Sequence, residues 1–115
     1  MKVLVCGGRD YDNWSEIEYQ LGTIHAETPI KQIIAGGAKG ADTLAVLWAK
    51  GEHIPVREFF ADWKKHGRAA GPIRNRQMLD MGQPDLVVAF KGGKGTANMV
   101  SLAHSSGVRV IEADV

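Results

Sequence analysis

Short apolar runs alternate along the chain with stretches in which apolar residues recur every three or four positions, and glycine or proline marks most changes of pattern. Val3 to Cys6, Gln32 to Ala35, Ile54 to Phe59, Asp85 to Phe90 and Val108 to Glu112 are rich in β-branched and apolar residues and have the length of buried parallel strands. After the first run, Ile17, Leu21 and Ile24 fall at i, i+4 and i+7, predicting a helix capped by Asn13 or Ser15 and ended by Thr28-Pro29. A second helix is predicted over Ala41–Lys50, with Leu44, Leu47 and Trp48 inward and a stop near Gly51. From Phe60 to Gly71 the periodicity fails, and the polar, basic, glycine-punctuated stretch reads as a long loop of the kind that is functional or mobile. Pro72 suits the first turn of a helix to about Met81, with Ile73, Gln77 and Met78 near one side and Gly82 as its stop. A last helix, Thr96 to Ser105, carries Val100 and Ala103 inward.

This alternation predicts an α/β fold: a Rossmann-like, doubly wound, five-stranded parallel sheet of order 3-2-1-4-5 with helices on both faces, forming one domain over residues 1–115. The switch point then lies between the first and fourth strands. Three glycine-rich stretches follow strands and converge on that edge: Gly7-Gly8-Arg9-Asp10-Tyr11, Gly36-Gly37-Ala38-Lys39-Gly40-Ala41-Asp42 and Gly92-Gly93-Lys94-Gly95-Thr96. Glycines here either make tight turns or let backbone approach a ligand, and amides at the start of the following helix favour an anion. None of the three has Walker or Gly-x-Gly-x-x-Gly spacing, so the expectation rests on their convergence.

Composition narrows the class without naming a ligand. The 115 residues are 44% hydrophobic and 23% charged with a net charge of +1, which suits one folded core and argues against a globally basic nucleic-acid binder. The single cysteine, Cys6, excludes an intrachain disulfide and reads as a buried strand thiol. Met1-Lys2 leads straight into the first strand, with no signal-peptide core and no run long enough to span a bilayer, so a cytoplasmic location is expected. His25, His53, His66 and His104 show no zinc spacing, so no metal is expected, and no Gly-x-Ser-x-Gly elbow is present.

Positive charge gathers in Lys64, Lys65, His66, Arg68, Arg74 and Arg76. Lys64 and Lys65 read as solvated, whereas Arg74 and Asn75 are expected in the first turn of a helix, where a cation does nothing for the dipole and points to a nearby anion. Arg9 offers a fork for phosphate and Tyr11 a ring for a base, or Arg9 and Asp10 form a surface pair and Tyr11 packs at the helix start. Asp42 either caps its helix or accepts a hydrogen bond from a ribose hydroxyl or an amide.

These stretches, with Ala61-Asp62-Trp63 and Ala70-Gly71-Pro72-Ile73-Arg74-Asn75-Arg76-Gln77-Met78, resemble the YspA-like, cpYpsA-related family of the SLOG superfamily over nearly the whole chain. The superfamily also holds LOG-type phosphoribohydrolases, DprA and nucleotide-sensing domains. The resemblance implies a Rossmann-like fold and a nucleotide-derived ligand at the three loops, held by Gly7, Gly8, Arg9, Asp10, Tyr11, Gly36, Gly37, Lys39, Gly40, Asp42, Arg74, Asn75, Met78, Gly92, Gly93, Lys94, Gly95, Thr96 and Met99, with no further cofactor required. LOG-type enzymes use an Arg from an Arg-x-x-x-Met helix start, matched by Arg74 and Met78, and a Glu three residues after the Thr of Pro-Gly-Gly-x-Gly-Thr. Here Lys91 replaces the Pro and Met99 stands at the Glu position. A thioether neither stabilises an oxocarbenium-like centre nor activates water, so that chemistry is not implied.

The preferred expectation is a module that binds a nucleotide or nucleotide derivative, as a sensor or a sequestering protein. One alternative is a hydrolase cleaving an N-glycosidic or phosphate bond with Arg74 and either Asp10 or Asp42 as catalytic groups. Another is single-stranded DNA binding through the basic segment and Trp63. Relatives in the superfamily commonly pair, and Trp14, Trp48 or Trp63 would serve a homodimer interface.

Overall fold

A computed structural model describes residues 1–114. Five parallel strands, β1 (Lys2–Cys6), β2 (Gln32–Ala35), β3 (Val56–Glu58), β4 (Leu86–Ala89) and β5 (Arg109–Glu112), form one sheet of order β3-β2-β1-β4-β5. The central strand β1 aligns Val3 with Ile33 on one side and with Leu86 on the other. Val3, Leu4, Val5, Ile33, Ile34, Val87 and Val88 are fully buried, because helices cover both faces.

On one face α1 (Trp14–Glu27) and α2 (Ala41–Gly51) bring Ile17, Leu21, Ala45 and Trp48 onto Val3, Val5, Ile33 and Val88. On the other, α4 (Ala70–Gly82) and α5 (Lys94–Ser105) bring Met78, Leu79, Met99 and Ala103 onto Leu4, Cys6, Ile34 and Val87. Asn13 caps α1, its side-chain oxygen accepting from the Glu16 amide at 3.1 Å. The α2 stripe is rotated from the expected one: Leu47 is exposed while Ala41, Ala45, Val46, Trp48 and Ala49 are buried, since small alanines let the helix lie close to the sheet. Gln77 is likewise exposed, and Leu79 takes the inward position beside Met78.

The predicted long loop is largely helical. Asp62 caps a single turn, α3 (Trp63–His66), by accepting from the Lys65 amide at 3.1 Å, and a 3-10 turn over Gly67–Ala69 runs directly into α4. Helix α4 therefore begins before Pro72, and Arg74 and Asn75 lie beyond its first turn. Trp48 belongs to the core and is no interface residue, whereas Trp14 and Trp63 are exposed. Among the described residues no helix is long and apolar enough to cross a membrane.

Candidate functional site

All strands run the same way, so the turns after β1, β2 and β4 open at one edge of the sheet, where a cleft of about 1140 Å³ lies. Its floor includes Cys6, Gly7 and Gly8 from the end of β1, and its walls are the Gly36–Asp42 stretch, the start of α5 and the face of α4 that carries Arg74, Asn75 and Met78. Phe60, Trp63 and Arg68 stand at its mouth.

A closed circuit of hydrogen bonds surrounds this space. The Ala41 amide donates to the Gly8 carbonyl (3.2 Å), and the Gly8 amide donates to the Lys91 carbonyl (2.9 Å). Across the glycine turn, Asn75 Nδ2 donates to the Gly95 carbonyl (3.2 Å) and to Asn98 Oδ1 (3.0 Å). Arg74 Nε donates to Asn75 Oδ1 (3.0 Å), and Arg74 Nη1 donates to the Gly36 carbonyl. The Gly36 and Ala38 amides close the ring on Asp42 Oδ2, at 3.1 and 3.2 Å. Backbone approaches backbone closely where the turns meet. Gly40 adopts φ +76°, and a Cβ there would collide with the Gly8 carbonyl, so both conformation and space call for glycine.

Two helices start at the cleft without a side-chain cap, α2 after Gly40 and α5 after Gly93; the Ala41 amide of α2 is taken by Gly8, and the first amides of α5 meet no side-chain acceptor among the described residues. Arg9, Lys39, Arg68, Arg74 and Lys94 line the cleft against only two carboxylates, Asp10 and Asp42. Burial lowers the pKa of Arg74 from the ordinary guanidinium value, Arg9 adding to this and Asp42 opposing it. An arginine keeps its proton under such pressure, so the lowered value marks a poorly hydrated cation. Burial also raises Asp42 to about 6, against the opposing effects of its two amide donors and Arg74. The Cys6 thiol, mainly through burial, is pushed up to about 12, which keeps it protonated and a poor nucleophile.

Of the residues picked out from sequence, Gly7, Gly8, Arg9, Asp10, Gly36, Gly37, Lys39, Asp42, Arg74, Asn75, Met78, Gly93, Lys94, Gly95 and Thr96 line the cleft. Four do not. Met99 is fully buried under α5 among Leu4, Met78 and Val87, because its position faces the sheet. Tyr11 turns away to pack its ring on Phe90 with centroids 5.3 Å apart, so it offers no base-stacking face. Gly40 and Gly92 shape the turns from behind; a Cβ on Gly92 would strike the Thr96 hydroxyl. Asp42 does not cap α2; it holds the preceding loop through the amides named above. Phe60, Arg68 and Asn98 were not legible as cleft residues in the sequence. The signal for Phe60 is a bulky aromatic just past a strand end with no periodic partner, and it is 69% exposed.

The sequence profile of the YspA, cpYpsA-related SLOG family (YAcAr) matches residues 1–66, more than half the chain and two of its three glycine turns. The chain belongs to the YspA, cpYpsA-related SLOG family. It is also 31% identical over 118 residues to the Gene 61 protein of Mycobacterium phage D29, a match covering 96% of this chain and 94% of that protein. Among solved structures it is similar to DNA processing protein A (DprA) from Streptococcus pneumoniae, with a TM-score of 0.77 at 19% identity over 96% of this chain. The chain spans about half the length of that DprA chain, 49%, and the likeness is one of fold. The SLOG profile ends at His66, so Arg74, Asn75 and the start of α5 come from the part of the chain beyond it.

Proposed function

We propose that this SLOG-family chain binds a nucleotide or nucleotide derivative, with its phosphate at the start of α5 and its base at the aromatic mouth, as a sensor or a sequestering module. The observation that carries this reading is the uncapped α5 N-terminus, Gly93-Lys94-Gly95-Thr96, sharing one cleft with the half-buried Arg74. Arg74 uses Nε and Nη1 within the protein and leaves Nη2 without an acceptor among the described residues, a free donor for an anionic oxygen. Phe60 and Trp63, 69% and 49% exposed, offer aromatic faces for a base. Arg9 lies 5.5 Å from the Trp63 ring centroid, covering one face of the indole with its guanidinium.

The test is isothermal titration against a panel of nucleoside mono-, di- and triphosphates and ADP-ribose, with Arg74→Ala beside the unaltered protein. At least one compound binds, and Arg74→Ala weakens it by about tenfold or more, the scale of a lost charge-assisted hydrogen bond. Absence of any heat or thermal stabilisation across the panel would overturn the reading. Hydrolysis has less support, since Met99 is buried where LOG-type enzymes place their Glu. Chromatography of the same mixtures decides it, with intact nucleotides as the expected result. Single-stranded DNA is a second reading, favoured by the exposed Phe60 and Trp63 beside Arg9 and Arg68 and in keeping with the DNA processing named for the DprA relative. A gel shift at low salt that fades steeply as salt is added would support it.

A further inference from the structure

The two helix N-termini at the cleft are not equivalent. Helix α5 has no acid in its first turn, whereas α2 carries Asp42 as its second residue, so an anion placed at α2 meets a carboxylate already there. Asp42 is only 6% exposed, and its two oxygens have different surroundings. Oδ2 accepts from the Gly36 and Ala38 amides; Oδ1 accepts from no described residue, and no ion pair joins the carboxylate to Arg74 among the described residues. The Tyr11 hydroxyl is the one fully enclosed side-chain polar atom without a partner among the described residues, so the unpartnered Oδ1 keeps contact with solvent, and Asp42 lines the cleft. Burial raises this carboxyl to about 6, the two amide donors and Arg74 opposing the rise. What such an atom takes is a hydrogen-bond donor on the ligand.

A nucleotide has its uncharged oxygen donors on the sugar. If the phosphate lies at α5 with Arg74 and the base lies at the exposed Phe60 and Trp63, the ribose is the part of the ligand left to meet Asp42, which lines the same cleft. We propose that Asp42 makes the cleft selective for ribonucleotides, its free carboxylate oxygen accepting a hydrogen bond from the 2′- or 3′-hydroxyl of the bound sugar. The inference rests on the nucleotide reading above and narrows it. A buried acceptor that loses its donor is left unpaired, so rejection of the deoxy sugar is stronger than the loss of one exposed contact.

The test compares, by isothermal titration with the unaltered protein, ribonucleoside 5′-monophosphates and diphosphates with their 2′-deoxy and 3′-deoxy counterparts, and ribose 5-phosphate with 2-deoxyribose 5-phosphate. Removing one of the two hydroxyls is expected to weaken binding about tenfold or more. Asp42→Asn preserves the acceptor facing Gly36 and Ala38 but not the free carboxylate oxygen, so the ribo-to-deoxy ratio falls toward one while binding still depends on phosphate. Ribo and deoxy forms that bind within a factor of about two overturn the ribose assignment and leave the nucleotide reading standing. A ratio unchanged in a folded Asp42→Asn protein also overturns it. If no compound binds, both readings fall together. Should Asp42→Asn fail to fold, the comparison of sugars on the unaltered protein decides alone.

Discussion

A carboxylate buried beside an open cleft has consequences for stability as well as recognition. Asp42 ionises near pH 3.8 in an unfolded chain and near 6 in the folded one, because burial outweighs its amide donors and Arg74. Between those values the folded state binds more protons, so the stability associated with Asp42 is greatest below about pH 4 and is lost as pH rises through 6. The shift corresponds to roughly 3 kcal/mol at most. Asp42→Asn is therefore expected to be more stable than the unaltered protein at pH 7 to 8, with the gain vanishing by about pH 4. Urea denaturation at both ends of that range measures it, and an Asn variant equally stable throughout contradicts the burial argument. A residue kept at a cost to stability is in keeping with the sugar contact proposed for Asp42.

At the scale of the elements, the start of α5 permits a clean separation of folding from binding. A Cβ on Gly93 meets nothing within 4 Å, and the position is the N-cap of the helix. Gly93→Asp is therefore expected to leave the fold intact, to change its stability only by a few tenths of a kcal/mol in the favourable direction, and to abolish nucleotide binding by placing a carboxylate where phosphate belongs. Melting temperature and titration check the two halves, with Gly93→Ala retaining binding as the control. The five strands and their order were legible because buried parallel strands are continuous apolar runs and their glycine turns recur at each carboxyl end. The segment from Phe60 to Gly71 was not, because Asp62 starts a helix of a single turn, too short to show a period, and Gly67 at φ +55° reads as a break although it only joins two helical turns. For the same reason Arg74 was recognised as a cleft residue but assigned to the wrong turn of its helix. Leu47 faces solvent because hydrophobicity alone marks both sides of α2, and the close fit of Ala41, Ala45 and Ala49 to the sheet, rather than side-chain size, sets which side faces inward.

For the molecule as a whole, the strand order puts β1 in the middle and makes its last turn the common neighbour of two half-sheets. Gly8 stands there, its carbonyl bonded to Ala41 on one side and its amide to Lys91 on the other. A Cβ at Gly8 would lie 3.0 Å from the Lys91 carbonyl oxygen and 3.2 Å from Gly92 Cα, and both neighbours are backbone that can yield only by moving a turn. The separation of the α2 and α5 N-termini is thus fixed by peptide against peptide, with no flexible side chain between them. On the proposed nucleotide reading, the residue acts as a gauge block that sets the length of ligand the cleft takes. Gly8→Ala, which pushes the turns apart by a few tenths of an ångström, is expected to change the ranking of mono-, di- and triphosphates more than it changes the preferred base, as read by titration of the three against the unaltered protein. On that reading, the tolerance on ligand size is set by the absence of one methyl group.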